Sequence, residues 1–334
     1  MKINILFPIN DNPTGGGNQF LRNLKVQFEK MEIYDEIEYS DVVLFNSYQN
    51  IDNVIKAKKR YPRKLFVHRV DGPIRLYNNL NDKRDDITNI TNKYIADATI
   101  FQSEFSRKTN YELGLEKNKY ETLIYNATDR NIFFPNEQHI IGEKIKIIAS
   151  SWSSNVKKGF DVYEYLDKNL DYSKYEMIFV GNSLCEFKNI KVIAPQKSIE
   201  LANILRQQDI YISASQKDPC SNSVIEAMCC GLPVLCRNDG GHPELVNIGK
   251  AGYLFDEAEE VPLLLEQIVS NYSQLEPLTE KFDIRFTAQE YCEFFEYIFN
   301  DSADERKYLS LRGKCSIKKA LLKYYKPQFV KFLK

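Results

Sequence analysis

The sequence predicts an α/β protein of two doubly wound, Rossmann-like domains, and three observations carry that expectation. Apolar runs of strand length recur along the chain, each running into a polar or glycine-bearing turn and then an amphipathic stretch. The scheme begins at Ile3 and begins again at Ile145. A chain of 334 residues is long enough for two domains of about 100–200 residues each.

In the first half, residues 3–8 read as a strand, 10–17 (NDNPTGGG) as a glycine loop and 18–30 as a helix. Strand, glycine loop, helix is the opening of a mononucleotide-binding unit, in which Gly16 and Gly17 admit a ligand close to backbone N–H groups. A tight surface turn would read the same way. Residues 42–46 form a second strand, 51–60 a helix and 64–69 a third strand, which ends in His68-Arg69-Val70-Asp71-Gly72-Pro73. Polar groups at the carboxyl end of a parallel strand sit where open α/β sheets bind ligands, so His68 and Asp71 are candidate acceptors of protons or hydroxyls. The alternative for His68 is a ring satisfied by backbone in a strand-end turn. Residues 82–86 read as a charged loop, 90–97 as helix, 99–103 as strand, 104–113 as helix and 121–125 as the last strand of this half. Residues 127–143 are the expected linker, which draws the domains at 1–135 and 136–284.

In the second half, strand 145–150 leads through Ser153 to Lys157-Lys158-Gly159 and a helix to about residue 170. Lys158 can set an ammonium against a phosphate, or be a solvated surface lysine. Strand 176–181 ends in Gly181-Asn182. Strand 189–194 ends at Pro195, before helix 198–208. After strand 210–215 comes DPCSNSVIEAMCCGLPVLCRNDGGHPE, residues 218–244, around which the rest is organised. Ser221 or Asn222 caps a helix that Gly231-Leu232-Pro233 stops; strand 234–236 then runs into Gly240-Gly241, and Pro243-Glu244 opens another helix. Two helix N-termini thus aim at one sheet edge, which is the electrostatics of a phosphate site. Asp218 in the first loop and Glu226, read as lying in the helix's first turn, suit the hydroxyls of a ribose or sugar rather than the phosphate. The site reading is a sugar nucleotide. Residues 252–255 are a last strand, followed by helices 260–270 and 287–299.

Composition narrows the classes. Hydrophobic content of 43% with 27% charged residues is that of a soluble globular protein, and no run of about 18 apolar residues suggests a membrane span. The N-terminus reads as a strand rather than a secretory signal. Seven cysteines without a C-x-x-C spacing read as buried free thiols in a reducing cytosol, and three histidines argue against a zinc site. The net charge of −1 is uneven, because residues 306–334 carry ten Lys or Arg and no Asp or Glu, leaving −11 on the rest. This basic, aromatic tail suits an anionic membrane surface or packs on its own domain; no motif accompanies it that would suggest nucleic acid.

The spaced residues Asp218-x7-Glu226, Ala227-Met228-x-Cys230-Gly231-Leu232-Pro233-Val234 and Gly240-Gly241-x-Pro243-Glu244 resemble the donor-site signature of family 4 retaining glycosyltransferases, of the GT-B architecture. The chain departs from it at Asp218, where the family has Glu, at Cys220-Ser221 in place of Phe-Gly, and at Ser153 in place of an Arg that clamps the diphosphate. The resemblance implies two domains facing a cleft, with helix 285–305 crossing back to the N-terminal domain before tail 306–334. It places Gly16 and Gly17 towards the donor diphosphate and the acceptor, and residues after the third strand, such as His68 or Asp71, on the acceptor side. Backbone around Gly181, Asn182 and Pro195 would read the base. Lys158 and the helix starts at Ser221-Asn222 and Gly241 would meet the diphosphate, Glu226 the ribose and Asp218 the sugar. The function implied is retaining transfer of a hexose-type sugar from a UDP- or GDP-linked donor to a glycan or lipid-linked hydroxyl, in the cytoplasm or peripherally on its membrane, with no metal or other cofactor. The alternatives are another GT-B enzyme, such as an epimerase or phosphorylase, and an inactive sugar-nucleotide-binding protein.

Overall fold

The computed structural model describes residues 1–10, 16–137, 139–301 and 306–332, the last seven as backbone only. The expected glycine loop therefore lies partly outside the described residues, at 11–15, as do the tail's aromatic side chains beyond Tyr325.

The chain divides into two units, one of Met1–Ile9, Leu24–Tyr125 and Ala288–Lys334, the other of Asn10–Asn23 and Asn126–Thr287. In chain order the first half contains β1 (Ile3–Ile5), α1 (Gly16–Lys30), β2 (Val42–Asn46), α2 (Ile51–Arg60), β3 (Leu65–Val70), α3 (Ile74–Tyr77), α4 (Arg84–Tyr94), β4 (Ala98–Phe101), α5 (Glu104–Glu112) and β5 (Tyr120–Leu123). All neighbouring strands of its sheet are parallel, and their order is sequential, β1-β2-β3-β4-β5. Among the described residues this sheet shows no strand-order reversal of the kind expected of a doubly wound sheet.

The charged stretch 82–86 is loop only as far as Lys83; residues 84–86 open α4. Asp85 is buried and accepts N–H bonds from Ile74 (2.8 Å) and Arg75 (2.9 Å), so its carboxylate ties the start of α3 to the first turn of α4. Charge here serves the backbone rather than solvent.

His68 and Asp71, both on β3 or just past it, part company. His68 is fully buried: its ring stacks on Phe45 with centroids 4.5 Å apart, and its two nitrogens meet Asn92 Oδ1 and Ser47 O, each at 3.0 Å. Burial pulls its pKa down to about 4 against the two bonds that raise it, and its full enclosure leaves it no candidate base for a substrate. Asp71 lies at the strand end with its side chain 23% exposed. It accepts from Arg69 (2.5 Å), Asn46 (2.7 Å) and Gln102 (3.1 Å), which fix it in place.

The tail is not separate from this unit. The chain returns to this unit at Ala288, within α11 (Ile284–Asp301), and later forms α12 (Leu311–Phe332), whose Ile317 and Ala320 are buried in one core with Val43, Phe45, Val54, Phe66 and Ile87. Gly313 packs closely there, since an added Cβ would lie 3.1 Å from the Tyr94 ring of α4 and the ring would have to give slightly. The anchor is Asp97. Its Oδ2 accepts from Lys58 Nζ (3.1 Å) and Phe66 N (2.8 Å), and its Oδ1 from Lys307 N (2.6 Å).

The second half contains β6 (Ile145–Ser151), α6 (Phe160–Asn169), β7 (Tyr175–Gly181), β8 (Lys191–Ile193), α7 (Ser198–Leu205), β9 (Ile210–Ser213), α8 (Asn222–Cys229), β10 (Val234–Arg237), α9 (His242–Gly249), β11 (Gly252–Phe255) and α10 (Val261–Ser270). Its parallel sheet runs β11-β10-β9-β6-β7-β8, so the order reverses between β6 and β9. Residues from Asn126 on, expected in the first domain or the linker, belong to this unit. Asn126 Nδ2 donates to Asn222 Oδ1 (2.8 Å), and Thr128 exchanges backbone bonds with Phe282 and Ile284.

Removing the Asp97 carboxylate leaves the buried Lys58 ammonium uncompensated and releases the segment that leads into α12. Asp97→Ala should cost about 3–5 kcal/mol in denaturant unfolding and open the chain near residue 306 to limited proteolysis. Wild-type stability in this variant would refute the anchor.

Candidate functional site

The reversal in the second sheet fixes where a ligand can sit. Connections leave β6 and β9 in opposite directions, so a crevice opens beyond their carboxyl ends. The loop after β6 and the loop after β9 are in contact there. Gly159, at φ +77°, has no room for a Cβ, which would fall on the Ala214 carbonyl, and the left-handed conformation suits glycine. Gln216 N donates to Lys157 O (2.7 Å), and Lys157 Nζ returns a bond to Gln216 Oε1 (3.1 Å). Lys157 is thereby committed to the loop rather than standing in for the missing arginine.

This pairing sets Lys158 Nζ 3.0 Å from Asp218 Oδ2, both side chains mostly buried. Burial acts to raise the Asp218 carboxyl, but the Lys158 charge and hydrogen bonds from Lys158 and Cys220 N outweigh it and hold the group below its ordinary range. Asp218 is therefore ionised. In this ligand-free arrangement it supplies the negative charge that faces Lys158.

The loop after β10 closes on the same place. Gly241 N donates to Asp218 O (2.8 Å), and Lys217 Nζ pairs with Asp239 Oδ1 (2.8 Å). Gly240, at φ +65°, passes so near the Asp218 carbonyl that a side chain would collide with it. The starts of α8 and α9 thus stand side by side. His242, the first residue of α9, is buried with Nε2 3.2 Å from Ser213 Oγ and Nδ1 3.0 Å from Arg237 O. Burial lowers its pKa, so the ring is neutral, with Nδ1–H donating to Arg237 O and Nε2 accepting from Ser213.

Glu226 is the fifth residue of α8, one turn deeper than expected. It is half-buried, and among the described residues its carboxylate makes no hydrogen bond or ion pair. Burial alone pushes its pKa up to about 8. A carboxyl in that state gains most from a ligand that brings hydroxyl donors.

The remaining candidates take smaller parts. Ser221 occupies the N-cap of α8 but makes no side-chain cap; its hydroxyl meets Ser223 Oγ at 3.1 Å. Asn222 does not cap the helix either. It bridges Asn126 to the chain start, donating to Gly16 O (2.7 Å). Gly16 is close-packed on that amide, whereas Gly17 faces open space. Ser153 closes a local turn, its Oγ accepting from Asn155 N (3.1 Å), so it makes no clamp. Gly181 ends β7 beside Ser151, and Asn182 Nδ2 donates to Trp152 O (2.7 Å). Pro195 is exposed in the turn after β8. His68 and Asp71 belong to the first unit and share none of these bonds. The sequence reading missed Ser213, Gln216, Lys217, Asp239 and His242. Only His242 carried a visible signal, a histidine directly after the double glycine.

Residues 137–282 match the family model described as "Glycosyl transferases group 1". A probable sucrose-phosphate synthase of Thermosipho melanesiensis is 29% identical over 164 residues, 46% of this chain and 38% of that protein. The chain matches about half or less of the length of its curated relatives. Among solved structures, a sucrose-phosphate synthase from Thermosynechococcus elongatus superposes with TM-score 0.70 at 13% identity, covering 90% of this chain and 100% of the other. HepE of Anabaena, solved with UDP and glucose, gives 0.67 at 15%, covering 89% and 99%. The fold is GT-B, and the matches support the GT-B glycosyltransferase superfamily.

The Glu226 carboxyl binds a proton in the folded state that the unfolded chain releases near pH 4.5, so stability falls as pH rises from about 4.5 to 8. Glu226→Gln removes that loss. Its melting temperature should match the wild type near pH 4, exceed it by roughly 2 °C or more near pH 8, and change no further above. A pH-independent difference in thermal unfolding would show that Glu226 is not held protonated by burial.

Proposed function

We propose that this chain is a retaining glycosyltransferase that moves a hexose-type sugar from a nucleoside-diphosphate sugar to a hydroxyl of a glycan or lipid-linked acceptor. The observation that carries the reading is the Lys158–Asp218 pair at the sheet's switch point, flanked by the starts of α8 and α9. An incoming diphosphate would take Asp218's place opposite Lys158, and Lys158 with the two helix starts would stabilise charge developing on the leaving group. We assign that task to protein groups without a metal. Asp218, displaced from Lys158, remains close enough to accept hydroxyls of the transferred sugar, while Glu226 accepts those of the ribose. Retention, and the family 4 assignment, follow from the resemblance of the 218–244 motifs; the diphosphate itself would then assist deprotonation of the acceptor. The UDP and UDP-glucose complexes of HepE favour a uridine donor, with guanosine the second choice. Asp71, fixed at the end of β3, is the better acceptor-side candidate now that His68 is enclosed. These reactions fit the cytoplasmic side of a membrane.

One observation favours a second reading. With Ser153 turned onto its own loop, the arginine clamp has no replacement among the contacts at this place, which suits a protein that binds sugar nucleotides without transferring them. Donor binding without transfer to any acceptor would identify it.

Trp152, the only tryptophan, lies in the loop after β6 and makes a built-in probe. Titration with UDP-glucose and GDP-mannose should change its emission for one donor, and that donor should raise the melting temperature. Lys158→Ala should weaken nucleotide binding by about tenfold or more, the scale of one charge-assisted contact. Asp218→Ala should bind free nucleoside diphosphate at least as well as wild type while losing transfer, read from the anomeric signals of the product. Unchanged binding in Lys158→Ala would remove the diphosphate from this site.

A further inference from the structure

α12 completes the core of the first unit with one side only. Gly313, Ile317 and Ala320 are buried, and Leu321 and Tyr324 partly so. At 100° per residue the opposite side is centred on Leu311, Cys315 and Leu322, with Arg312, Lys319 and Lys323 along one flank. All six are exposed, Leu311 to 80% and Leu322 to 61%. A helix already seated by Asp97 and its inner face thus presents an apolar ridge edged by cations, within a segment that holds no acidic residue.

We propose that this outer face of α12 docks on an anionic lipid bilayer. A ridge of two leucines and a cysteine is too narrow for a partner helix, which needs a broader apolar stripe. A protein interface would also bury the flanking lysines without partners. At a bilayer the same lysines lay their stems along the apolar boundary and reach lipid phosphates with their ammonium groups, while the leucines enter the acyl margin. Nucleic acid would use the cations but leave the leucines in water. With so little apolar area, adhesion is reversible and depends on the negative surface potential.

The proposal is independent of the donor site, and the test keeps the two apart. The full chain is sedimented with vesicles of phosphatidylcholine alone and of phosphatidylcholine with phosphatidylserine, at low and high salt. Binding to the anionic vesicles alone, reversed by salt, is expected. Each cation removed should weaken partition by about fivefold, so Arg312→Gln/Lys319→Gln/Lys323→Gln should lose on the order of a hundredfold. Leu311→Ser/Leu322→Ser should also weaken it, whereas binding to heparin should not change with the leucines. Both variants should keep the wild-type melting temperature and its response to donor. Absence of anionic-vesicle binding by the wild type would overturn the proposal, as would leucine-independent binding or preferential binding to RNA.

Discussion

The ion pair between Lys158 and Asp218 spans the point where the second sheet reverses, and the surrounding loops depend on that crossing. Two loops that belong to different connections must approach within hydrogen-bonding distance, and a third must cover them. Gly159 removes the steric obstacle to the first approach and Gly240 to the second. Gln216, Lys157 and the Gly241 N–H then fasten the backbones. Two mostly buried opposite charges compensate each other's desolvation, which neither could bear alone. The site can therefore exist assembled before its ligand arrives.

Asp218 and Glu226 show how environment divides like groups. Asp218 has a cation, a backbone N–H and helix starts around it, and its carboxyl is held ionised. Glu226, eight residues further on in α8, has only burial and is pushed towards the neutral form. Titratable groups driven in opposite directions within one loop-helix unit are commoner at functional places than in scaffolds. An unpartnered carboxylate opposes folding, and the helix that holds it gains nothing visible in return from within the unit.

Much of the site was legible because glycine spacing and helix punctuation are local signals. The loop-helix junctions at 159, 221 and 241 could be read from residue order, and so could Lys158, Asp218 and Glu226. The side on which a residue emerges could not. β3 is buried on both faces, so no alternation shows that His68 points at Asn92 and Phe45. Asp85 looked like part of a charged loop because its partners, the N–H groups of Ile74 and Arg75, are backbone and leave no trace in composition. The roles of Asn126 and Asn222 were hidden for a third reason. Their bonds join segments almost a hundred and more than two hundred residues apart, a relation that only tertiary packing creates.

Packing also explains why charge asymmetry alone was a poor guide to the tail. Ten cations without an acid look like a solvated arm. Yet Lys307 spends its backbone N–H on Asp97 and its ammonium on Asn118 and Asn92 O, and α12 covers a core that β2, β3 and α4 leave unfinished. A helix needed only to cover that core could carry mixed charge on its outer face, since i,i+4 pairs of opposite sign favour helix formation. Like charges on that face work against the helix in water and are tolerated because tertiary contacts hold it. Their uniform sign, beside leucines that burial did not claim, is thus unexplained by folding and belongs to what the face meets from outside.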